Sequence, residues 1–586
     1  MKSNRKDAME KYTYNTKKPG SVFVISAIFV SLFVLWGVFA PRGLEETASE
    51  LLATTIENFG WFYMIVTAIF IAFVLFLAIS PFGKMKLGKE EDKPEYSYYT
   101  WVGMLFSAGI GVGFVFWGVA EPVLYYMDPP YGVQPETVEA ANIGLRYAVF
   151  HWALHPWAIF GLVALALAYV QYRKDQPALI SSAFYPILGE RVNGWFGRGI
   201  DILAVLATST GVATTFGLSA MQITGGLSYL TPIPNTVTTQ LIVIFVVAIL
   251  FMFSAGSGLN KGIRILSITN LTIAAILLLF MIIFGPTLFI AEGVVTTLGG
   301  YISNIIPMSL TMTPFTDSVW LGAYTIFFWA WHISWAPFMG IFIARISRGR
   351  TIREFVFGVL FVPSLLGLIW FTAFGGTALH LDRTAGSNIA EIVMNNVEVA
   401  LFATLAELPF GGIMSVLSVL LILIFFITSA DSASYVLGAM TSKGSLNPAL
   451  YVKLIWGFLI AATASVLLLS GGLQGLQTAS IIAALPFGII MLTMAVSMFM
   501  MINKDYRAIR KKKRTKQIEE IKEEVREEMK EDIYEEIKVE MLEEVRDEIK
   551  EEVLEEFKEE IYEEMKEEII EEFQADEDKS SNSKKE

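Results

Sequence analysis

Apolar residues dominate this chain in runs long enough to cross a lipid bilayer, and short polar or charged segments separate the runs. A helix needs about 20 predominantly apolar residues to cross the hydrocarbon core. A window of that length predicts about twelve spans, which begin near Ser21, Trp61, Tyr99, Leu145, Ile200, Gln240, Leu266, Val319, Phe355, Phe410, Val452 and Thr478. Residues 290–306 and 388–408 mix apolar and polar positions, so we expect them to lie along the outer interface. The pattern predicts an all-α integral membrane protein with 12 transmembrane helices.

Basic residues are concentrated in alternate connections between these spans. Residues 84–93 hold four lysines and residues 345–353 hold four arginines, whereas the intervening connections hold few basic residues and the connection at 121–139 is acidic. Cytoplasmic loops of membrane proteins are enriched in Lys and Arg. The alternation therefore predicts a multi-pass protein of the plasma membrane with both termini in the cytoplasm.

The composition changes after Asn503. Residues 504–516 are strongly basic, and residues 517–586 contain 31 acidic and 11 basic side chains, so the net charge of −13 comes from this segment. Apolar residues recur at every fourth position from 521 to 569, mostly with Lys-Glu-Glu or Arg-Glu-Glu between them. This predicts one long helix, whose apolar stripe advances about 40° around the axis per repeat and does not suit a heptad coiled coil. A solvated spacer rod is the preferred interpretation, and a regulatory arm that senses ions or lipid is the alternative.

These changes of composition define the expected domains. They are a cytoplasmic N-terminal segment at 1–20, a transmembrane domain at 21–503, a basic juxtamembrane segment at 504–516, an acidic helical tail at 517–575 and a disordered end at 576–586. The chain has no cysteine, which excludes disulfides and thiol chemistry. It also has no recognisable phosphate loop, nucleophile elbow or complete set of metal ligands, so we do not expect an enzyme. His151 and His155 are spaced for a metal, but hydrogen-bonded structural histidines are the preferred interpretation.

Three tryptophans, Trp329, Trp331 and Trp335, lie well inside one predicted span. Tryptophan in membrane helices is normally enriched at the two water interfaces. Trp331 and Trp335 are four residues apart, so their rings share one face of the helix. Electron-rich rings on one face attract a quaternary ammonium group, which has no N–H to donate. This stretch alone is equally compatible with aromatic packing between helices.

The third predicted span contains glycine at every second position, at Gly109, Gly111 and Gly113. Glycine is a poor helix former, and a helix that is interrupted in the membrane frees backbone carbonyls for a small cation. Close helix packing through small residues is the alternative. In the tenth span, Phe425, Thr428 and Ser429 share one face, and their oxygens would suit sodium.

Several motifs in this order resemble the betaine/carnitine/choline transporter family over about residues 15–505. They are Ala-Gly-Ile-Gly-Val-Gly at 108–113, Phe-His-Trp-Ala-Leu-His-Pro-Trp at 150–157, Gly-Leu-Asn-Lys-Gly at 258–262, Trp-Ala-Trp-His-Ile-Ser-Trp at 329–335 and Ala-Arg-Ile-Ser-Arg-Gly-Arg at 344–350. The resemblance implies a LeuT-like fold of five-plus-five inverted repeats, at about 98–290 and 318–502. Two extra N-terminal helices would precede the repeats, a long cytoplasmic C-terminal helix would follow them, and the assembly would be a homotrimer.

The resemblance also implies an aromatic substrate site and a sodium site. The substrate site would consist of Phe116, Trp152, Trp157, Phe160, Trp331, His332 and Trp335. The sodium site would consist of Ser107, Ile110, Phe425, Thr428 and Ser429. A second sodium site would use Thr208 and Phe338, but Val212 lacks the hydroxyl of a further threonine, so that site is incomplete. His332 replaces an indole that is common in betaine carriers, and Phe160 replaces a tyrosine, so the substrate class is better defined than the substrate.

The resemblance therefore implies a secondary active transporter that imports glycine betaine or a related trimethylammonium solute by sodium symport during osmotic stress. Sodium would be the coupling ion, and membrane lipid would surround the protein. No cofactor and no nucleic-acid partner are expected. Within the family, a proton-coupled choline transporter and a carnitine/betaine exchanger remain alternatives. An alternative from another class is a non-transporting sensor of quaternary amines.

Overall fold

The computed structural model describes residues 19–109, 111–257, 260–315, 319–445 and 447–582, almost all of them in helices. The described ranges contain no β-strand, apart from one isolated antiparallel bridge between Lys86 and Thr351. Most of the predicted N-terminal segment, Ile110, the start of the 258–262 motif and the last four residues lie outside the described residues.

The main helices follow the apolar runs of the sequence. They are α1 Ser21–Phe39, α2 Pro41–Ile79, α3 Tyr98–Gly109, α4 Val112–Met127, α5 Val138–Trp152, α6 Leu154–Ala168, α7 Trp195–Leu230, α8 Val237–Ser257, α9 Asn260–Phe284, α10 Thr287–Leu310, α11 Phe327–Ile346, α12 Ile352–Ala385, α13 Gly411–Thr441 and α14 Leu450–Asn582. A π-helical turn, Gly322–Ile326, leads into α11, and the short helices Ile389–Asn395 and Ala400–Ala406 lie between α12 and α13.

Ten helical stretches of the described residues are long and apolar enough to cross a membrane. The predicted spans at Val452 and Thr478 fall within one of them, because α14 continues past non-helical backbone at Gly471 and Gly472. The span predicted at Trp61 is the apolar half of α2, whose first turns after Pro41 are helical but too polar for the hydropathy window. The all-helical, multi-span prediction is thus confirmed, while the 12-helix inverted-repeat arrangement stays a prediction. Residues 290–306, which we expected along the outer interface, lie in α10. This helix is also long enough to cross a membrane, so its place along the interface stays a prediction.

The glycine run interrupts the third predicted span, as expected. α3 ends at Gly109, and α4 begins at Val112 after Gly111 in an extended conformation. Two buried side chains from other helices anchor the first turns of α4. Trp370 Nε1 donates to the Phe114 carbonyl and Gln222 Nε2 donates to the Val115 carbonyl, each at 2.9 Å. The break is therefore held in place by the helices around it.

The centre of the membrane unit is formed by α6 and α11, which pack along each other. Every residue of α6 after Leu154 is buried, as expected for a helix that is apolar all round and lies inside a large protein. α7 packs against both α11 and α13, and α4 packs against α5, α12 and α13. This arrangement brings the aromatic motifs of α5, α6 and α11 to one place in the interior.

The chain divides into two compact units, Met1–Asn503 and Lys504–Glu586. In the second unit the predicted long helix is confirmed as far as Asn582. All side chains from 511 to 577 are exposed, including the apolar residues that recur every four positions. Ion pairs such as Lys550 with Asp547 at 2.9 Å join residues three positions apart. Each exposed pair contributes about 0–1 kcal/mol, so these ion pairs add only a small stabilisation to the helix.

Candidate functional site

The predicted substrate residues lie on four neighbouring helices. Phe116 is on α4, Trp152 ends α5, Trp157 and Phe160 lie in the first turns of α6, and the remaining three are on α11. Ala153, with φ −95° and ψ −123°, separates α5 from α6. This non-helical residue turns the two helices relative to each other, so that aromatic residues from both reach the same region.

Five of these rings form one cluster, which we call the aromatic box: Trp152, Trp157, Phe160, Trp331 and His332. The Trp152 ring centroid lies 5.7 Å from that of Trp331 and 5.2 Å from that of His332, with ring planes almost perpendicular. Phe160 lies 5.6 Å from both His332 and Trp157. These spacings are those of direct edge-to-face contact. All five residues are buried, so the box is closed to solvent.

The other two predicted residues lie beside the box. Phe116 is buried and contacts Trp117, and Trp335 is half-buried and contacts Phe338 at 5.0 Å. Trp331 and Trp335 nevertheless share a face as predicted, because both indole N–H groups donate to the Gly211 carbonyl, at 3.3 and 2.8 Å.

Trp329, the third tryptophan of the motif, faces away from the box. Its ring stacks on His155 at 5.1 Å and meets Phe150 edge-on at 5.0 Å. His155 Nε2 also lies 2.8 Å from Ser309 Oγ. This histidine is therefore part of a packed structural cluster, as preferred from the sequence.

Glu121 is a residue of this region that the sequence analysis assigned to an acidic outer connection, and that assignment is wrong. The predicted span ended before Glu121, whereas α4 continues through Glu121 and Pro122 to Met127. Glu121 is completely buried. An acidic residue immediately after an apolar run could have indicated it, because ionisable residues inside a membrane are rare and usually functional.

Three donors or potential donors surround the Glu121 carboxylate. Trp152 Nε1 donates to Oε2 at 2.7 Å, and the Tyr125 hydroxyl donates to Oε1 at 2.9 Å. His151 Nδ1 lies 2.6 Å from the same Oε1, and His151 Nε2 lies 2.9 Å from Thr325 Oγ1. His151 and His155 thus have separate partners, and no group of three His, Cys, Asp or Glu suited to a metal occurs in the described ranges.

The predicted sodium residues are described in part. Ile110 lies outside the described residues, and the side chain of Ser107 is not described either. On α13, Phe425 is buried while Thr428 and Ser429 are half-buried. Thr428 Oγ1 donates to the carbonyls of Ile424 and Phe425, at 2.9 and 3.1 Å. A hydroxyl that donates its proton keeps its lone pairs, so this oxygen remains suitable for a cation.

The residues of the incomplete second sodium site lie on α7 and α11, which contact each other. Thr208 is buried, and its hydroxyl donates to the Ala204 carbonyl at 2.7 Å. Phe338 is buried against Trp335, and Val212 is buried without a hydroxyl to offer. Because residue 212 is valine rather than threonine, the hydroxyl of Thr208 is the one side-chain oxygen that these three residues supply.

Comparison with known proteins agrees with the family resemblance of the sequence motifs. The profile of the betaine/carnitine/choline family transporters matches residues 21–507. The chain is 49% identical over 497 residues to the glycine betaine transporter OpuD of Bacillus subtilis, an alignment that covers 84% of this chain and 96% of the relative. It is 46% identical over 497 residues to an ectoine/hydroxyectoine transporter of Virgibacillus pantothenticus, with 85% and 98% covered.

A third relative, glycine betaine transporter 1 of Vibrio parahaemolyticus, is 41% identical over 503 residues, with 84% of this chain and 95% of the relative covered. The family match includes the glycine break and all the aromatic motifs, and it ends shortly after the start of the second unit. This chain is therefore a multi-pass membrane transporter that belongs to the betaine/carnitine/choline transporter family.

Proposed function

We propose that the protein imports glycine betaine or a closely related trimethylammonium solute by sodium symport, and that the cell uses it to accumulate a compatible solute under osmotic stress. The observation that carries this proposal is the buried aromatic box, in which indoles from α5, α6 and α11 come together. A desolvated ring attracts a cation by roughly 1–2 kcal/mol. Three or four rings would thus supply a large share of the binding energy of a micromolar ligand.

The relatives support the substrate class, since two of them are named as glycine betaine transporters. An ectoine-type substrate is a second candidate, favoured by the ectoine/hydroxyectoine relative and by His332. The Nδ1 atom of this buried imidazole has no hydrogen-bond partner in the described part of the chain. The N–H of a cyclic amidine can pair with a ring nitrogen, whereas a trimethylammonium group offers no N–H.

Sodium coupling is supported by the broken helix and by the hydroxyls of α13. α13 packs against α4, and Thr428 and Ser429 are incompletely buried along α13. An ion held between backbone carbonyls near the break and these hydroxyls would favour the conformation in which both helices approach. Substrate bound to the same helices would favour the same conformation, so the two ligands would assist each other. We further propose a homotrimer in the plasma membrane with both termini in the cytoplasm.

The test is uptake of radiolabelled glycine betaine into proteoliposomes that contain the full-length protein. We expect accumulation with an inward sodium gradient and none with a proton gradient alone or without a gradient. Unlabelled ectoine, added as a competitor, tests the second substrate. Uptake driven by protons or by internal substrate would contradict sodium symport. Binding without uptake under every gradient would favour the sensor alternative.

Truncation after Glu520 tests the acidic helix. We expect the truncated transporter to take up betaine at the parental rate and to keep the parental dependence on osmolality, because the side chains from 511 to 577 are all exposed. The measurement is initial uptake rate in proteoliposomes over a series of external osmolalities. A truncated protein that no longer changes its rate with osmolality would show that the helix is a regulatory arm.

A further inference from the structure

Several buried indoles of the described residues donate their N–H groups to a neutral acceptor. Trp101 Nε1 donates to Ser347 Oγ and Trp456 Nε1 donates to Thr441 Oγ1, both at 3.0 Å. Other buried indoles donate to backbone carbonyls. Trp152 differs, because its acceptor is the carboxylate of Glu121. Within the described residues, it is the one indole of the aromatic box with an acidic partner.

A carboxylate is a costly choice of acceptor at this depth. Glu121 is completely buried, and the one basic side chain that contacts it in the described part of the chain is His151, with no Lys or Arg. Removing an ionisable group from water is unfavourable unless its charge is compensated. A hydroxyl or a carbonyl would hold the indole equally well, as at Trp101 and Trp456. A negatively charged acceptor differs from a hydroxyl or a carbonyl in its effect on the indole that donates to it.

The difference is the electron density of the ring. An acceptor with negative charge strengthens the hydrogen bond that it accepts from the N–H group and polarises the donor. The indole of Trp152 then presents a more electron-rich face to its neighbours in the box. Attraction between a cation and an aromatic ring is electrostatic, so this polarisation strengthens it. The other oxygen of Glu121 is held by Tyr125 and His151, which fixes the direction of the carboxylate.

We propose that Glu121 is ionised, with its charge stabilised by the donors of Trp152, Tyr125 and His151, and that it is a positioning residue of the aromatic box, which acts through Trp152 by fixing the indole and by making its face more attractive to a cation. The inference rests on the proposed function, because it assumes that the box receives a positively charged head group. Glu121 is not one of the rings of the box but contacts the indole N–H of Trp152. Through this contact it would favour ligands by their positive charge rather than by their shape.

The test compares glycine betaine with 3,3-dimethylbutyrate, which has the same shape but carries a tert-butyl group in place of the trimethylammonium group. Both dissociation constants are measured on the full-length protein in nanodiscs with saturating sodium. The constant for betaine is measured by binding of the radiolabelled solute, and the constant for the isostere by its competition with radiolabelled betaine. Glu121→Gln keeps the volume and an acceptor oxygen but removes the charge. We expect betaine to bind roughly tenfold more weakly to this variant, while the isostere changes by less than about twofold.

Two further variants separate this mechanism from a general loss of structure. Thr441→Val removes the acceptor of Trp456, a buried indole outside the box, and should leave the ratio of the two constants unchanged. In a Trp152→Phe background the ring has no N–H, so Glu121→Gln should no longer alter the ratio.

Equal weakening of betaine and isostere by Glu121→Gln would overturn the proposal, as would an unchanged affinity for betaine. A shift of the ratio that persists in the Trp152→Phe background would also overturn it, because the effect would not pass through the indole. These failures differ from failure of the proposed function, in which the parental protein itself binds no betaine. That result would remove both proposals together.

Discussion

Gly113→Ala should reduce betaine binding and uptake by about tenfold or more, because the added carbon overpacks the aromatic box. A Cβ atom at position 113 would lie 2.2 Å from Cη2 of Trp152 and 3.2 Å from Cη2 of Trp331. Both rings belong to the aromatic box, so they cannot keep their present positions. Trp152 has little freedom to move, since its indole N–H is bonded to the buried Glu121. The measurements are the betaine dissociation constant and the initial uptake rate.

Gly103→Ala is the matched control for this substitution. Gly103 lies in α3, just before the helix break, and a Cβ there meets no described atom within 4 Å. Alanine is the better helix former, so this variant should fold and transport as the parent does. If Gly113→Ala binds betaine with the parental affinity, the two indoles do not lie as close to position 113 as described. Equal losses in both variants would assign the effect to the interrupted helix rather than to the box.

Short-range geometry was the part of the site that the sequence predicted well. A helix of 3.6 residues per turn places Trp331 and Trp335 on one face, and both donate to the Gly211 carbonyl. Trp329 is two residues before Trp331, which places it about 200° around the helix axis and therefore on the opposite face. Its ring packs on His155 instead of in the box. The alternating glycines likewise predicted the interruption between α3 and α4.

Tertiary relations were harder to predict, because no local pattern encodes them. Glu121 is 31 positions from Trp152 along the chain, and only the packing of α4 against α5 brings them together. The predicted span also ended before Glu121 and Pro122, although a membrane helix can continue through proline when neighbouring groups satisfy its backbone. The contact of Trp335 with Phe338 is by contrast local, since residues three apart in one helix are neighbours on its surface. The sequence thus identified the residue types of the site, and the packing decided their roles.

Trp331→Ala should weaken betaine binding by about tenfold or more and abolish gradient-driven accumulation, because it removes a desolvated ring from the centre of the box. Trp331 contacts Trp152 at 5.7 Å and stacks on Phe327 at 5.7 Å, so the variant also loses a support for its neighbours. Trp331→Phe keeps an aromatic face but not the bond to Gly211, and an intermediate affinity is expected.

Trp329→Phe is the control that distinguishes ring position from ring number. Trp329 is two residues from Trp331 in the same helix and completely buried, but its ring lies on His155 and Phe150. A phenyl ring preserves those contacts in large part, so this variant should keep the parental dissociation constant and uptake rate. If the change at 329 costs as much affinity as Trp331→Ala, the motif acts through packing of α11 as a whole. If only the changes at 331 weaken binding, the cation is held by the face that Trp331 presents to Trp152.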